Sequence, residues 1–270
     1  MMKGKNLINR IIAGIIATVL SAGMTACSGS GTDDSLQKVL DSGELVLGMD
    51  YKYPPMGFEN EDGEVVGFDI DVATEVCNRL GIKLVTKDIN WDLKEKDLKS
   101  GKIDCIWNGM SYSEERAASM TLSEPYMKND VIYAVSKDSD IKYINDLKGK
   151  YVGIQAGSSA EMLITESEIY SSITIVQDDD KIILMKQVES GDIDAVILDS
   201  VLAYYYISEN DMNLAILSAV IETEDYVIGF RKGDNELCDK IEEILHEMKD
   251  DGTLAEISKK WFGTDVTTLE

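Results

Sequence analysis

Arg116 is the residue most open to chemical interpretation. It lies in GKIDCIWNGMSYSEER at 101–116. The segment reads as a helix end at Gly101, a buried strand over 103–107, a tight turn at Asn108-Gly109 and a new helix starting near Ser113. Ser113 suits the N-cap, and Glu114 and Glu115 suit a first turn where the helix dipole favours acids. Arg116 opposes that dipole, so something else should hold it there, and an anion is the simplest candidate. An arginine fork beside free backbone N–H groups at a helix start makes a carboxylate site. A solvated arginine paired with Glu115 or a neighbouring acid uses the same residues.

Other candidates fall at strand ends, where open α/β sheets bind ligands. Asp50 and Tyr53 follow a first strand at 45–49. Asn108, Gly109 and Ser111 follow the strand containing Cys105. Ser158 and Ser159 follow a strand at 151–155, which Gln155 ends. Asp199 follows a strand at 193–198, where it also suits a helix N-cap. His246 is the only histidine, on an amphipathic helix, which disfavours a Ser-His-Asp or metal site. P-loop, GxGxxG and HExxH motifs are missing, so nucleotide and zinc-protease chemistry lack support.

The elements that must position these residues alternate. Helices are expected at 35–42, 70–80, 93–100, 158–166, 181–190, 237–248 and 254–261. Strands are expected at 45–49, 65–68, 82–86, 103–107, 151–155, 173–176 and 193–198. Asp69 is expected to cap the helix 70–80, and Ser158 with Glu161 reads as a capping box. Strands 126–135 and 225–230 read as crossings between two lobes. Alternation of this kind implies a mostly parallel sheet with helices on both faces. Ser100-Gly101-x-Ile103-Asp104 recurs as Ser190-Gly191-x-Ile193-Asp194, which hints at two lobes of one plan. The acidic run 178–180 reads as a solvated turn.

The 270 residues carry a net charge of −24, which argues against nucleic acid as a partner. Lys3, Lys5 and Arg10 precede a short apolar run at 11–20, and SAGMTAC ends at Cys27. This resembles a bacterial lipoprotein signal over 1–26, with Cys27 lipidated and 27–39 as a tether; an ordinary secretory signal is the alternative. Cys77, Cys105 and Cys238 form neither a disulfide framework nor a zinc pattern.

A family resemblance is carried by DYKYPPMGFENEDGEVVGFDIDVATEVCNRLGI at 50–82, GKIDCIWNGMSYSEER at 101–116 and SEPYM at 123–127. It continues in DLKGKYVGIQAGSSAE at 146–161, ESGDIDAVILDS at 189–200 and KDDGTLAEISKKWFG at 249–263. Together these resemble the polar amino-acid family of extracytoplasmic solute-binding proteins of ABC importers (bacterial solute-binding protein family 3). The similarity covers nearly all of the chain after residue 40.

The resemblance implies an α/β, two-lobed, type II periplasmic-binding-protein-like fold with two hinge strands. Lobe 1 would span 40–130 and 226–270, and lobe 2 would span 134–222. It assigns Arg116 to a ligand α-carboxylate, with Ser111 and N–H groups near Ser159. It assigns Asp199 to the α-ammonium, with a carbonyl near Gly109. Tyr53 and Trp91 stand where the family places rings, although ordinary core packing explains them equally. Asp50, Asn108 and Gln155 are placed to read a polar side chain. The position pairing with Cys77 in some relatives, near Leu84, is not cysteine, so no bridge is expected.

The implied protein is a monomeric, lipid-anchored, extracytoplasmic binding protein. It has no cofactor or metal and no catalytic role, and it delivers an amino acid to importer membrane subunits. A dehydratase of the cyclohexadienyl or arogenate class, with Asp50 as its acid, is the alternative on the same fold.

Overall fold

The structure, a computed structural model, describes residues 33–269. The signal segment and Cys27 lie outside the described residues. α1 (Ser35–Ser42) leads into β1 (Glu44–Met49), then a small antiparallel sheet of β2 (Lys52–Tyr53), β3 (Gly57–Glu59) and β4 (Val65–Val66). Next come α2 (Phe68–Leu80), β5 (Lys83–Asp88), α3 (Lys94–Lys99), β6 (Cys105–Ser111), α4 (Glu114–Ser119), β7 (Met120–Leu122) and β8 (Met127–Ser136). A second run contains β9 (Tyr151–Gln155), α5 (Ser159–Glu166), β10 (Thr174–Asp178), α6 (Lys181–Ser190), β11 (Ala195–Asp199) and α7 (Ser200–Glu209). The chain closes with β12 (Leu214–Arg231), α8 (Asn235–Asp250) and α9 (Thr253–Phe262).

The main sheet runs β10-β9-β11-β8-β12-β6-β1-β5, with β7 also on β12. One wing is parallel, β1 pairing with β5 and β6. The other is parallel too, β9 pairing with β10 and β11. β8 and β12 join the wings, antiparallel to each other and to the flanking β11 and β6. This is the mixed α/β, mostly parallel arrangement with flanking helices that the resemblance implied.

One buried apolar cluster runs through both wings: Val72, Ala73, Val76 and Cys77 of α2 with Leu45, Leu47 and the Ile241–Leu245 face of α8 in the first, and Leu184, Val196 and Leu202 in the second. Val131, Ile154, Ile164 and Ile197 form a second cluster in the β9/β11 wing. Each such Val, Leu or Ile side chain contributes about 1.5–3 kcal/mol by leaving water. The three described cysteines are free and buried, so Cys105 is a small core residue.

The repeated Ser-Gly-x-Ile-Asp segments do the same work in both wings. Gly101 and Gly191 turn left-handed after α3 and α6, at φ 74° and 83°. Asp104 Oδ2 then accepts the Val46 N–H of β1 at 2.9 Å, and Asp194 Oδ2 accepts the Tyr151 N–H of β9 at 2.9 Å. Each aspartate satisfies an amide of its neighbouring strand that the parallel ladder leaves open.

Four local expectations fail for physical reasons. No turn forms at Asn108-Gly109: β6 continues to Ser111 because β12 pairs with it, Tyr226 against Ser111 and Val227 against Met110. β12 is likewise far longer than 225–230, because β8 pairs with it from Leu214 to Tyr226. Asp69 does not cap α2. Gly67 holds the cap position, and Asp69 lies inside the first turn with its carboxylate turned to Gly109. The helix expected at 93–100 begins as a 3₁₀ turn at Trp91–Leu93, with α3 confined to Lys94–Lys99.

Candidate functional site

A narrow cavity lies where the carboxyl ends of β1 and β6 face those of β9 and β11. All eleven ligand-contacting candidates from the sequence line it, and Lys181 lines it with them.

Arg116 is 4 % exposed. Ser113 caps α4 as expected, its Oγ accepting the Arg116 N–H at 3.2 Å. The guanidinium turns inward. Nη1 donates to the Ser111 carbonyl at 2.6 Å, and Nη2 to the Gly157 carbonyl at 3.3 Å. Burial lowers its pKa, opposed chiefly by Glu224. No carboxylate among the described residues comes within 4.0 Å of it, so two carbonyls hold the cation and no anion pairs with it directly.

Asp199 sits at the cap position of α7, but its side chain does not cap. Oδ1 accepts from Asn129 Nδ2 at 3.0 Å and from the Tyr226 hydroxyl at 3.0 Å. Oδ2 pairs with Lys181 Nζ. The helix-cap alternative is therefore excluded, and the carboxylate is a built, buried acceptor on the cavity wall.

Gly109 and Tyr53 meet beneath it. The Tyr53 hydroxyl bonds the Tyr226 hydroxyl at 2.6 Å. Gly109 has φ 57°, and a Cβ there would stand 2.7 Å from Tyr53 Cε1 and 2.9 Å from Tyr226 Cε2. Only glycine lets both rings close on the strand. Asp69 Oδ2 fixes this point from behind, accepting the Gly109 N–H at 2.8 Å. Asp69 is fully buried, and burial pushes its pKa up to about 7, although nearby Tyr126 and Trp107 lower it. Neither closes a hydrogen bond onto Asp69 Oδ1.

The polar candidates mostly hold one another. Gln155 Nε2 donates to Asp50 Oδ2 at 3.2 Å and to the Asp179 carbonyl at 2.9 Å. Asn108 Oδ1 accepts the Asp50 N–H at 3.1 Å, so it shapes the loop after β1. Ser158 caps α5, accepting the Glu161 N–H at 3.2 Å. The return bond of that box goes one residue earlier, from the Gly157 N–H to Glu161 Oε2 at 2.7 Å. Trp91 is nearly buried, with Lys94 Nζ 5.2 Å from its ring centroid.

Two functional-looking residues escaped sequence reasoning. Lys181 follows the acidic run 178–180, which is not simply solvated: Asp180 is buried, caps α6 and binds Lys52 Nζ at 2.8 Å. The signal available was a lysine in a helix first turn, the same anomaly as Arg116. Glu224 lies within β12 and accepts from the Ser111 and Ser159 hydroxyls at 2.6 and 2.9 Å. Burial raises its pKa. No local pattern marks it.

Comparison with known proteins gives a consistent result. The family described as bacterial extracellular solute-binding proteins, family 3, matches residues 45–264. The L-cystine-binding protein TcyJ of Escherichia coli is 31% identical over 268 residues, covering 98% of this chain and all of that one. The arginine-binding extracellular protein ArtP of Bacillus subtilis is 33% identical, covering 92% of this chain and 96% of that one. An ABC uptake transporter substrate-binding protein from Streptococcus pneumoniae, solved with bound histidine, superposes with a TM-score of 0.85 at 36% identity. That match covers 89% of this chain and 100% of the other.

Proposed function

The chain belongs to the bacterial extracellular solute-binding proteins of family 3, and we propose that it captures a zwitterionic polar amino acid between two lobes and delivers it to an ABC importer. The carrying observation is the pair of buried opposite charges facing one cavity: Arg116 without a carboxylate partner and Asp199 without a capping role. A ligand α-carboxylate completes the first, using guanidinium N–H groups that the two carbonyls leave free, with the Ser111 and Ser159 hydroxyls beside it. The α-ammonium reaches Asp199. Tyr53 and Trp91 bound the side chain, with Asp50, Asn108, Gln155 and Ser158 around them.

Closure follows from the division of these groups. Arg116 belongs to the wing of β1 and β6, and Asp199 to the wing of β9 and β11. Residues 40–130 with 226–270 form lobe 1, residues 134–222 form lobe 2, and β8 and β12 are the hinge. A ligand that touches both lobes favours the form in which they meet, and differential affinity is what shifts such an equilibrium. The protein acts as a monomer by capture and release, without turnover. Cys27 carries a lipid that anchors it outside the cell membrane, within reach of the importer.

A calorimetric screen of the twenty amino acids with ornithine and cystine tests the capture reading. Saturable one-site binding of a polar member is expected, and a folded chain that binds none of them contradicts it. A lipid mass on Cys27 in the native protein tests the anchor, and an unmodified thiol contradicts it.

A further inference from the structure

Lys181 is the first residue of α6, where a cation opposes the helix dipole. Its side chain is only 11 % exposed. The ammonium pairs with Asp199 Oδ2 and stands 4.4 Å from the centroid of the Tyr53 ring. Asp50, on the opposite wing, is close enough to feel its charge. Lys181 thus projects from the second wing into the space between Asp199, Tyr53 and Asp50, all of which line the cavity.

The charges along the lining balance. Arg116 and Lys181 offset Asp50 and Asp199. A zwitterionic head group keeps that balance, one end on Arg116 and the other on Asp199. Its ammonium must then share Asp199 with Lys181. A guanidinium or ammonium on the ligand side chain adds a third cation, and Asp50 is the one lining acid left to meet it. An uncompensated charge in a buried site is costly. An oxygen acceptor at the end of the side chain has the opposite effect, because it gives the Lys181 ammonium a partner when Asp199 turns to the ligand.

We propose that Lys181 is a specificity-determining residue, selecting amino acids whose side chain ends in a carbonyl or carboxylate oxygen and rejecting those that end in a cation. A side chain ending in a second amino-acid head group fits the same rule, its far carboxylate on Lys181 and its far ammonium on Asp50. The inference rests on the amino-acid reading of the cavity and names the ligand class within it.

The test is calorimetric titration of the purified full chain with L-glutamine, L-glutamate, L-cystine, L-arginine and L-lysine. The wild type is compared with Lys181→Met, Lys181→Gln and Lys181→Arg, each checked for cooperative thermal unfolding. The wild type should bind at least one acceptor-ended ligand tenfold or more tighter than arginine or lysine. Lys181→Met and Lys181→Gln should narrow that ratio at least tenfold, partly by gaining on arginine. Lys181→Arg should keep it. Glutamate against glutamine and cystine separates a carboxylate from an amide acceptor. The inference is overturned if the wild type binds arginine or lysine tightest, or if both neutral variants leave the ratio unchanged. A folded wild type that binds none of the five, yet binds an amino acid whose side chain ends in no carbonyl or carboxylate oxygen, overturns the inference alone; one that binds no amino acid overturns the capture reading beneath it.

Discussion

The Arg116 guanidinium and the Glu224 carboxylate meet at Ser111 without meeting each other. Arg116 takes the Ser111 carbonyl at 2.6 Å, and Glu224 takes the Ser111 hydroxyl at 2.6 Å. One residue thereby keeps a buried cation and a buried acid apart. The Ser159 hydroxyl, also on Glu224, comes from the other wing, so this acid links the wings behind the site.

Replacing Arg116 should therefore damage binding more than folding. Arg116→Ala removes the cation proposed to take the α-carboxylate, and loss of one partner of a buried charge pair costs about 2–5 kcal/mol. Arg116→Lys keeps charge but loses the fork that spans two carbonyls, so a substantial part of the loss remains. Titration calorimetry reads the affinity and thermal unfolding reads the fold. Affinity that survives Arg116→Ala removes Arg116 from the site.

Asp69 governs a pH dependence of stability. Burial raises its pKa in the folded chain to about 7, from 3.8 for an exposed aspartate. The folded state thus binds this proton more tightly than the unfolded state does. The charged carboxylate destabilises the fold fully above pH 7, less as pH falls through 7, and not at all below about pH 4. Asp69→Asn retains an oxygen for the Gly109 N–H and removes the charge. At pH 8 the variant should be more stable by a few kcal/mol at most, since each tenfold difference in proton affinity between the two states is worth about 1.4 kcal/mol. The difference should shrink toward pH 5. Denaturant unfolding at several pH values measures it, and parallel pH profiles for the two proteins contradict the assignment.

What was legible in the sequence was local. Ser113 three places before Arg116 marks a helix start, and the structure has that cap. Both Ser-Gly-x-Ile-Asp segments announce a left-handed helix end and a strand, and both form. What was not legible depended on partners far along the chain. Asn108-Gly109 resembles a turn, yet β12, more than a hundred residues later, pairs on both sides of it and carries the strand through. Asp69 has the spacing of a cap, yet Gly109 takes its carboxylate, because that amide has no ladder partner. Lys181 follows, and Asp180 ends, an acidic run that reads as a solvated turn. Their burial comes from Asp199 and from Lys52 on the opposite wing. The family resemblance supplied roles for Arg116 and Asp199 but none for Lys181 or Glu224.

Gly157 is a close approach of the two wings. Its φ is 69°, and a Cβ there would stand 3.0 Å from the Asp92 Cα, a backbone atom that cannot swing aside. Its carbonyl accepts from both Lys94 and Arg116 across the cleft, at 3.0 and 3.3 Å. Gly157→Val adds bulk at this seam and a left-handed backbone cost of about 1–2 kcal/mol. The wings should separate by the added volume, and ligand affinity should fall roughly tenfold or more, about 1.4 kcal/mol. Small-angle scattering of the ligand-saturated protein should give a larger radius of gyration than the wild type. Wild-type affinity and radius in the variant would show that the seam yields without cost.

In the proposed function, Asp199 ties ligand binding to closure. Its carboxylate joins Asn129 on β8, Tyr226 on β12 and Lys181 on α6, so side chains of both crossing strands donate to one acceptor. A ligand ammonium arriving there engages the hinge and the second wing at once. Moving a two-state equilibrium from 1:99 to 99:1 takes about 5.5 kcal/mol of preference for the closed form, and losing one charged anchor removes about 2–5 kcal/mol. Asp199→Asn keeps an oxygen acceptor and drops the charge, but it leaves the Lys181 ammonium buried without its anion. That second effect must be separated from the first. The double variant Asp199→Asn with Lys181→Met removes both charges together and should recover much of any lost stability, because neither ion then stays unpaired. Its amino-acid affinity should remain well below that of Lys181→Met alone, and it should contract less on saturation with ligand, read as the change in radius of gyration. If the double variant binds as tightly as Lys181→Met and contracts as fully as the wild type, the Asp199 charge serves only to neutralise Lys181, and the ligand ammonium is held elsewhere.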